Sequence, residues 1–302
     1  MKTEKTTYCG CVAIIGPPNV GKSTLLNQLL DKQISITSNK PQTTRHCIMG
    51  IHTEDVYQII YLDTPGFQVN SKYVINSLMN RIASRSIKEA DLIIFVVNGT
   101  VWTKDNDIAL DNLRKNKIPI ILAINKIDQI KKKNILLPYI KYISQKINFI
   151  DIVPISAITK KNIHVISNIV KQYLPHSKHH FPSNQVSNRS ECFIASEIIR
   201  EKLIHSLNAE LPYSLTVNIE KFIKNDYGIY NIKSIIFVEK IGQKKIIIGS
   251  KGNKIRKVRI EAEYSLQRIF LSKIDLELWV KIKEGWRNNK YLLRNLGYIE
   301  DI

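Results

Sequence analysis

The stretch from residue 12 to 30, VAIIGPPNVGKSTLLNQLL, constrains the fold of this chain more than any other part of the sequence. Four apolar residues predict a short strand, and the leucines after the central loop have the spacing of an amphipathic helix. The loop between them fits G-x-x-x-x-G-K-[ST], whose backbone N–H groups surround a polyphosphate at a helix N-terminus. A chance match in a glycine turn is the alternative, but the flanking strand and helix are the context that the motif requires. The sequence therefore predicts a nucleoside triphosphate site.

Two residues of this loop have predicted chemical roles. Lys22 reaches the β- and γ-phosphates and serves catalysis, and the Ser23 hydroxyl coordinates Mg²⁺. The residues of this segment that are predicted to bind the nucleotide are Gly16, Pro17, Pro18, Asn19, Val20, Gly21, Lys22, Ser23 and Thr24.

Length and composition limit what can be attached to this loop. A chain of 302 residues with 44% hydrophobic residues predicts about two domains of an ordinary globular protein. No apolar run approaches the ~20 residues of a membrane-spanning helix, and the N-terminus lacks the apolar core of a secretory signal. We therefore expect a cytoplasmic protein. Its four cysteines form no C-x-x-C pair, which favours reduced thiols over disulfides or a zinc site.

The net charge of +19 indicates a polyanionic partner, either a nucleic acid or an anionic membrane surface. The position of the charge is more informative than its total. Residues 240–259 contain eight basic side chains and no acidic one. This segment predicts an anion-binding face.

A long polar stretch, residues 31–50, follows the first predicted helix, and long loops of this kind are usually functional. Thr43 and Thr44 stand where a nucleotide-sensing loop would offer a hydroxyl to Mg²⁺ and a backbone N–H to the γ-phosphate. The register favours Thr44 as the metal ligand and catalytic residue.

A predicted strand over residues 56–62 leads into a D-x-x-G sequence. Asp63 would hold Mg²⁺, commonly through a water, and the backbone N–H of Gly66 would meet the γ-phosphate. Phe67 stands where many signalling GTPases carry a glutamine that orients the attacking water. A phenyl ring cannot do this, so we expect slow intrinsic hydrolysis. The residues predicted to bind the nucleotide here are Asp63, Thr64, Pro65, Gly66 and Phe67.

The segments 92–97 and 118–124 are near-continuous apolar runs, which suit parallel strands covered on both faces by helices. Amphipathic segments at 72–88, 105–116, 135–146 and 162–174 predict those helices. The alternation predicts an α/β P-loop NTPase with a doubly wound parallel sheet of the Ras-like type, whose ligand loops follow the carboxyl ends of the strands.

The loop after the second of these strands has the sequence N-K-x-D. Its carboxylate can accept hydrogen bonds from guanine N1–H and the exocyclic amine, which adenine lacks at those places, so the predicted nucleotide is GTP. An I-S-A sequence after a further short β-like run would add a backbone N–H to guanine O6. The predicted residues are Asn125, Lys126, Ile127, Asp128, Ser156 and Ala157.

The polar segment 175–188 contains two prolines, and it predicts a linker at residues 176–188 between domains at 1–175 and 189–302. Its three histidines, His176, His179 and His180, could suggest a metal site, but a solvated and flexible cluster is the better interpretation because nothing fixes their geometry.

The second half of the chain contains G-x-x-G before a basic amphipathic helix, in the order helix, two strands, G-x-x-G helix, strand. This resembles an α+β type II KH domain, in which the loop holds about four single-stranded nucleotides. Trp279 lies in an alternating apolar pattern and is predicted to belong to the core. The predicted RNA-binding residues are Ile248, Gly249, Ser250, Lys251, Gly252, Lys254, Ile255, Arg256 and Lys257.

Taken together, GPPNVGKSTLLN, ITSNKPQTTRH, LDTPGF, NKID and ISA resemble the Era family of translation-associated GTPases, and the resemblance continues through the KH half. It implies GTP hydrolysis to GDP, binding to 16S ribosomal RNA near its 3′ end, maturation of the 30S subunit, and a monomer with loose contact to the inner membrane. Asn19 matches the asparagine that helps to place K⁺ in potassium-stimulated relatives. Pro17 departs from the family, where a basic residue is frequent.

Two other functions remain open at the level of sequence. The chain could be a GTP-dependent RNA-binding scaffold with negligible turnover, or a KH GTPase that acts on another RNA. Phosphate release with and without RNA distinguishes the first alternative, and sequencing of crosslinked RNA distinguishes the second.

Overall fold

The computed structural model describes residues 6–67, 73–207 and 211–299. These residues form two compact units: residues 6–67 and 76–188 make up the first unit, and residues 73–75 and 189–299 make up the second unit. In this part of the chain, no helix is both long and apolar enough to cross a membrane.

The first unit alternates strands and helices as the apolar patterns predict. Its strands are β1 (Tyr8–Ile15), β2 (Ile48–Glu54), β3 (Tyr57–Asp63), β4 (Leu92–Asn98), β5 (Ile120–Asn125) and β6 (Asp151–Pro154). The helices of this part of the chain are α1 (Lys22–Leu30), α2 (Val74–Lys88), α3 (Lys104–Arg114), α4 (Leu136–Ser144) and α5 (Ile163–Tyr173). The apolar strands β4 and β5 are almost wholly buried, as expected of strands covered on both faces.

The six strands form one sheet in the order β2-β3-β1-β4-β5-β6. The doubly wound fold is confirmed, but the sheet is mixed, because β2 pairs antiparallel with β3 while the other neighbours are parallel. The prediction of a wholly parallel sheet was wrong because it lacked β2. Only Asp55 and Val56 separate β2 from β3, and Asp55 has φ 52°. So short a connection can join only antiparallel neighbours.

The segment 176–188 lies along the first unit rather than free in solvent. The fully buried side chain of Gln58 accepts hydrogen bonds from the backbone N–H groups of His180 (2.7 Å) and Phe181 (3.0 Å). The ring of His176 lies 4.4 Å from a tyrosine ring of β1, and Nε2 of His179 lies 3.1 Å from a backbone carbonyl oxygen of the β2–β3 turn. These contacts replace the flexible cluster that we expected. Among the described residues, no three His, Cys, Asp or Glu side chains are grouped so that they could hold a metal ion.

The second unit has the element order of the predicted type II KH fold, which is confirmed. Its elements are α6 (Glu191–Ser206), β7 (Thr216–Lys224), β8 (Tyr230–Val238), α7 (Ile241–Ile248), α8 (Asn253–Phe270), β9 (Ile274–Ile282) and α9 (Lys290–Asn295). In its sheet, β7 pairs antiparallel and β9 pairs parallel with the central strand β8. Buried apolar residues of α6 and α8 and of the sheet form a continuous core.

Two tryptophans of the second unit have opposite environments. Trp279 is 60% exposed, so its assignment to the core was wrong. Successive side chains of a strand point to opposite faces, and the buried residues Leu276 and Val280 set the inner face of β9. Trp279 is out of phase with them and faces solvent. Trp286 is fully buried instead, and its Nε1 donates to the carbonyl oxygen of Ser214 at 3.0 Å.

Candidate nucleotide site and nucleic-acid interface

The loop between β1 and α1 depends on its two motif glycines. Gly16 has φ 154° and Gly21 has φ 96°, a region that disfavours other residues. A Cβ at Gly16 would lie 2.3 Å from the carbonyl oxygen of Val96, and one at Gly21 would lie 2.4 Å from Nδ2 of Asn125. The loop is therefore packed tightly against the ends of β4 and β5. Helix α1 begins at Lys22, so its N-terminus faces the loop.

The ammonium group of Lys22 is buried beside this loop. It donates to the carbonyl oxygens of Gly16 (3.0 Å) and Pro17 (2.7 Å). Burial lowers the pKa of Lys22 to about 8, although the nearby charge of Asp63 acts in the opposite direction. A neutral amine attracts phosphate far less than an ammonium ion does. Protonation of Lys22 and binding of a polyphosphate are therefore coupled.

This coupling predicts a pH dependence of nucleotide affinity. Phosphate groups raise the pKa of Lys22 in the complex. Nucleotide affinity is therefore highest below a pH of about 8 and falls as the pH rises above it. We expect the Kd for GDP to rise by up to about tenfold between a pH of about 7 and about 9. Titration with a fluorescent GDP measures this change. Burial also lowers the pKa of Lys126. The control is therefore Lys126→Arg, in which the remaining pH dependence of affinity comes from Lys22. A flat profile in the parent protein would contradict the coupling.

Three oxygen-bearing side chains converge beside the N-terminus of α1. The Ser23 hydroxyl lies 2.7 Å from the Thr44 hydroxyl and 2.6 Å from Oδ2 of Asp63. Ser35, which sequence reasoning missed, also donates to Oδ2 at 2.9 Å. The other carboxylate oxygen of Asp63 is buried without a hydrogen-bond partner among the described residues. Burial raises the pKa of Asp63.

This donor set fits Mg²⁺. Hydroxyl and carboxylate oxygens are the ligands that Mg²⁺ prefers, and the unpartnered buried oxygen of Asp63 would gain a positive charge beside it. Ser23, Thr44 and Asp63 are the three residues predicted to hold the ion. Ser35 carries no motif, and only its place in a polar loop could have suggested it.

The structure gives the two loop threonines different environments. The Thr43 hydroxyl donates to the carbonyl oxygen of Lys40 at 2.6 Å within its own loop, whereas the Thr44 hydroxyl faces Ser23. A cleft is lined by the phosphate loop, by Gly66 and by seven residues of the polar loop: Ile36, Thr37, Ser38, Lys40, Gln42, Thr43 and Thr44. A Cβ at Gly66 would lie 2.7 Å from the backbone nitrogen of Pro18, so the two loops touch. Thr44, rather than Thr43, therefore lies beside Ser23, and its role as a metal ligand stays a prediction.

The side chains of two residues in or next to the D-x-x-G sequence are buried in the protein rather than exposed in the cleft. Thr64 is fully buried, and its hydroxyl donates to the carbonyl oxygen of Ile14 at 2.9 Å. Phe67 is 4% exposed and packs into the apolar core with Ala13 and Ile15 of β1. Neither side chain is among those that line the cleft.

The burial of Phe67 leads to a prediction that separates stability from chemistry. Phe67→Ala should lower the free energy of unfolding by about 3–5 kcal/mol, because it removes a buried ring from the core. The folded fraction should keep most of its GTP hydrolysis, since the ring does not orient water. Denaturant titration and phosphate release at low temperature measure the two effects. Complete loss of hydrolysis in folded Phe67→Ala protein would show that the ring acts in catalysis.

The side chain of Asn125 joins three loops. Its Nδ2 donates to the carbonyl oxygen of Val20 in the phosphate loop at 2.8 Å, and its Oδ1 accepts from the backbone N–H of Ala157 at 2.9 Å. The same oxygen accepts from the backbone N–H of Lys126 at 2.8 Å. The ammonium group of Lys126 also donates to the carbonyl oxygen of Asn19 at 2.7 Å. The N-K-x-D sequence therefore holds together the loops around the predicted nucleotide site.

Asp128 is exposed at the end of this loop, where a base can reach it. The buried Ser156 donates from its hydroxyl to Oδ1 of Asp128 at 2.5 Å. This bond holds the carboxylate in one orientation and leaves its second oxygen for a donor of the base. The half-buried side chain of Ile127 packs against the core and anchors the turn.

The G-x-x-G loop lies between α7 and α8 of the second unit. Gly249 has φ 73° and a Cβ there would lie 2.7 Å from Cβ of Lys254, while Gly252 has φ 76°. Between them Ser250 and Lys251 are exposed, as are Arg256 and Lys257 on the first turns of α8. Lys254 and Ile255 are half-buried, and Ile248 packs against the core. The loop therefore presents backbone and charge at a helix N-terminus, which suits a phosphate backbone.

Comparisons with known proteins agree with this geometry. A family model described as a 50S ribosome-binding GTPase matches residues 11–126, and a KH domain model matches residues 210–287. The GTPase Era of Yersinia enterocolitica is 54% identical over 302 residues, which covers the whole of both chains. The chain belongs to the Era family of GTPases. The family membership confirms the predicted enzyme activity, hydrolysis of GTP.

Further members of the Era family are also similar over almost the whole chain. The GTPase Era of Yersinia pestis (strain Pestoides F) is 53% identical over the whole of both chains. A point variant of Aquifex aeolicus Era bound to GDP and AlF4⁻ has a TM-score of 0.93 and 36% identity, with 97% of this chain and 99% of that chain covered. A structure of Era with MgGDPNP and nucleotides 1506–1542 of 16S ribosomal RNA gives the same values.

Proposed function

We propose that this GTPase binds 16S ribosomal RNA near its 3′ end through the G-x-x-G loop of the second unit, and that it assists maturation of the 30S subunit as a GTP-controlled switch. The observation that carries the proposal is the similarity to an Era protein in complex with nucleotides 1506–1542 of that RNA, over 97% of this chain. The exposed basic residues beside Gly249 and Gly252 support it, because they offer charge to an RNA backbone.

Each loop of the nucleotide site has its own proposed role. Asp128, held by Ser156, recognises guanine, and Lys22 binds the β- and γ-phosphates. Thr44 and the backbone N–H of Gly66 sense the γ-phosphate, which links the loop conformations to GTP. Mg²⁺ bound by Ser23, Thr44 and Asp63 would supply positive charge to the phosphate oxygens.

Hydrolysis in this site proceeds without a glutamine after Gly66. We propose that the backbone around Thr44 and Gly66 positions the water, and that K⁺ near Asn19 adds charge beside the phosphates. Asn19 belongs to the phosphate loop, has φ 62° and lines the cleft. Phosphate release in K⁺ and in Na⁺ at equal ionic strength tests the K⁺ site.

The proposed organisation is a GTPase domain of residues 1–175, a linker of residues 176–188 and a KH domain of residues 189–302. We propose that the protein acts as a monomer in the cytoplasm, with peripheral contact to the inner membrane. Its net charge of +19 supports contact with both RNA and anionic lipid.

A double substitution in the G-x-x-G loop tests the RNA-binding role. Replacing Ser250 and Lys251 with Asp should weaken binding of a 16S 3′-end fragment by about tenfold or more, because negative charge replaces a basic phosphate contact. The salt dependence of binding should become shallower, while basal GTP hydrolysis should not change. Filter binding at several salt concentrations and phosphate release measure these effects.

A matched control adds the same negative charge elsewhere in the second unit. Lys221→Asp with Tyr227→Asp alters exposed residues of β7 and of the turn that follows it, so it should reduce RNA affinity much less. Unchanged RNA affinity in the loop variant would remove the G-x-x-G loop from the interface. Phosphate release from the parent protein with and without the RNA distinguishes a switch from a GTP-dependent scaffold.

A further inference from the structure

The segment that follows the N-K-x-D loop has an unusual charge distribution. Residues 129–150 contain five lysines and neither aspartate nor glutamate. Lys131, Lys132, Lys133 and Lys141 are exposed, and in the described part of the chain none of the four is in an ion pair. Only Lys146 has an acidic neighbour here, with its Nζ 3.7 Å from a carboxylate oxygen of Asp107. The exposed lysines therefore give this surface a positive potential, and none of the four is paired with a carboxylate among the described residues.

Helix α4 lies within this segment and is apolar on both of its sides. Tyr139 and Ile143 are buried and attach the helix to the core of the first unit. On the outward side, Leu137 is 75% exposed and Tyr142 is 49% exposed, and Ile135 just before the helix is 43% exposed. A surface helix of a soluble protein normally carries polar residues on its outer side. These exposed apolar groups are interspersed with unpaired lysines.

We propose that this surface, called the α4 face and made up of Lys131, Lys132, Lys133, Ile135, Leu137, Lys141 and Tyr142, binds an anionic phospholipid bilayer. Lysines near a membrane are attracted to acidic headgroups, and apolar side chains enter the boundary between headgroups and acyl chains. An RNA backbone would engage the lysines but would gain nothing from Leu137 or Ile135. The combination of both kinds of group therefore favours lipid.

The inference rests on the peripheral membrane contact of the proposed function and gives it a surface in the first unit. This surface is separate in sequence from the G-x-x-G loop and includes none of the nucleotide-binding residues. Membrane binding can therefore be altered while GTP hydrolysis and RNA binding are left in place.

The first experiment removes the charge. The triple variant Lys131→Gln, Lys132→Gln and Lys133→Gln should bind vesicles of equal parts phosphatidylglycerol and phosphatidylcholine about 100-fold more weakly than the parent. The three lysines are expected to contribute similar amounts to the affinity for an anionic surface. The matched control is Lys88→Gln, Lys115→Gln and Lys117→Gln, which alters exposed lysines of α2 and of the loop after α3 and should retain most of the binding. Vesicle sedimentation measures both, and vesicles of phosphatidylcholine alone should bind neither variant nor parent.

The second experiment removes the apolar groups without changing charge. Leu137→Ser with Tyr142→Ser should weaken vesicle binding by about tenfold, because less apolar surface enters the bilayer. Tyr173→Ser is the control, since Tyr173 on α5 is exposed to a similar extent (44%). Binding of the 16S fragment and basal GTP hydrolysis should be unchanged in every variant.

Three results would overturn the proposal. The first is a parent protein that does not bind the anionic vesicles, and the second is a triple lysine variant that binds them as well as its control. The third is a loss of RNA binding in the lysine variant with no effect of Leu137→Ser and Tyr142→Ser on vesicles, which would assign the α4 face to RNA. If the parent protein does not bind the 16S fragment, the ribosomal role is refuted. The vesicle experiments would still test whether the α4 face binds lipid.

Discussion

Asp128→Asn is expected to shift the nucleotide preference from GTP toward xanthosine triphosphate. The carboxylate is predicted to accept from guanine N1–H and the exocyclic amine, whereas an amide would offer an N–H to the base in place of one acceptor oxygen. Affinity for GTP should fall about 100- to 1000-fold, because buried donors of guanine lose their partner. Xanthine has a carbonyl oxygen in place of that amine, so it can accept from the new amide. Competition of both triphosphates against a fluorescent nucleotide measures the preference.

Ser156→Ala is the matched control for this substitution. The Ser156 hydroxyl donates to Oδ1 of Asp128 at 2.5 Å, so its loss frees the carboxylate to rotate without changing its charge. GTP affinity should fall only about tenfold, the effect of one hydrogen bond, and the preference for guanine should remain. If Asp128→Asn protein still prefers GTP over xanthosine triphosphate by the parental ratio, Asp128 does not contact the base.

Lys22→Ala is expected to have the largest effect on hydrolysis. Its ammonium group is buried at the phosphate loop and is the only side-chain cation predicted to reach the β- and γ-phosphates. Removing one such preorganised donor costs about 100- to 1000-fold in rate. Binding should weaken as well. Phosphate release in single-turnover conditions measures the rate, and a nucleotide titration measures affinity.

Loss of structure has to be separated from loss of chemistry in Lys22→Ala protein, because the ammonium group also donates to the carbonyl oxygens of Gly16 and Pro17. Thermal unfolding of the nucleotide-free protein makes this distinction. Lys88→Ala, an exposed lysine of α2, should behave as the parent in all assays. Hydrolysis near the parental rate in folded Lys22→Ala protein would remove this residue from catalysis.

Patterns of period two and period 3.6 were enough to predict most of the fold. Buried strands such as β4 and β5 are continuous apolar runs, and α8 is the basic amphipathic helix predicted after G-x-x-G. Strand β2 was missed because it follows a polar loop and its pairing depends on the adjacent β3, a contact that local patterns do not encode. Trp279 was misassigned because the alternating pattern was recognised without its phase, which the buried Leu276 and Val280 set.

The nucleotide site was predictable to the extent that its residues belong to short motifs. The motifs name Lys22, Asp63 and Asp128, and the structure brings their loops together. Ser35 and the amide of Gln58 act through long-range hydrogen bonds, which leave no signal in one sequence. The burial of Phe67 is a further example, since a phenylalanine beside a nucleotide motif can face either the ligand or the core.

The buried amide of Asn125 has a consequence for how a nucleotide leaves. One side chain bonds to the phosphate loop, to the loop that recognises the base and to the backbone of Ala157. A buried amide left without partners costs about 1–3 kcal/mol, so opening one loop weakens the hold of the others. Dissociation of GDP is therefore expected as a single cooperative opening that releases base and phosphates together. A factor that accelerates exchange would need to disturb only one of these loops.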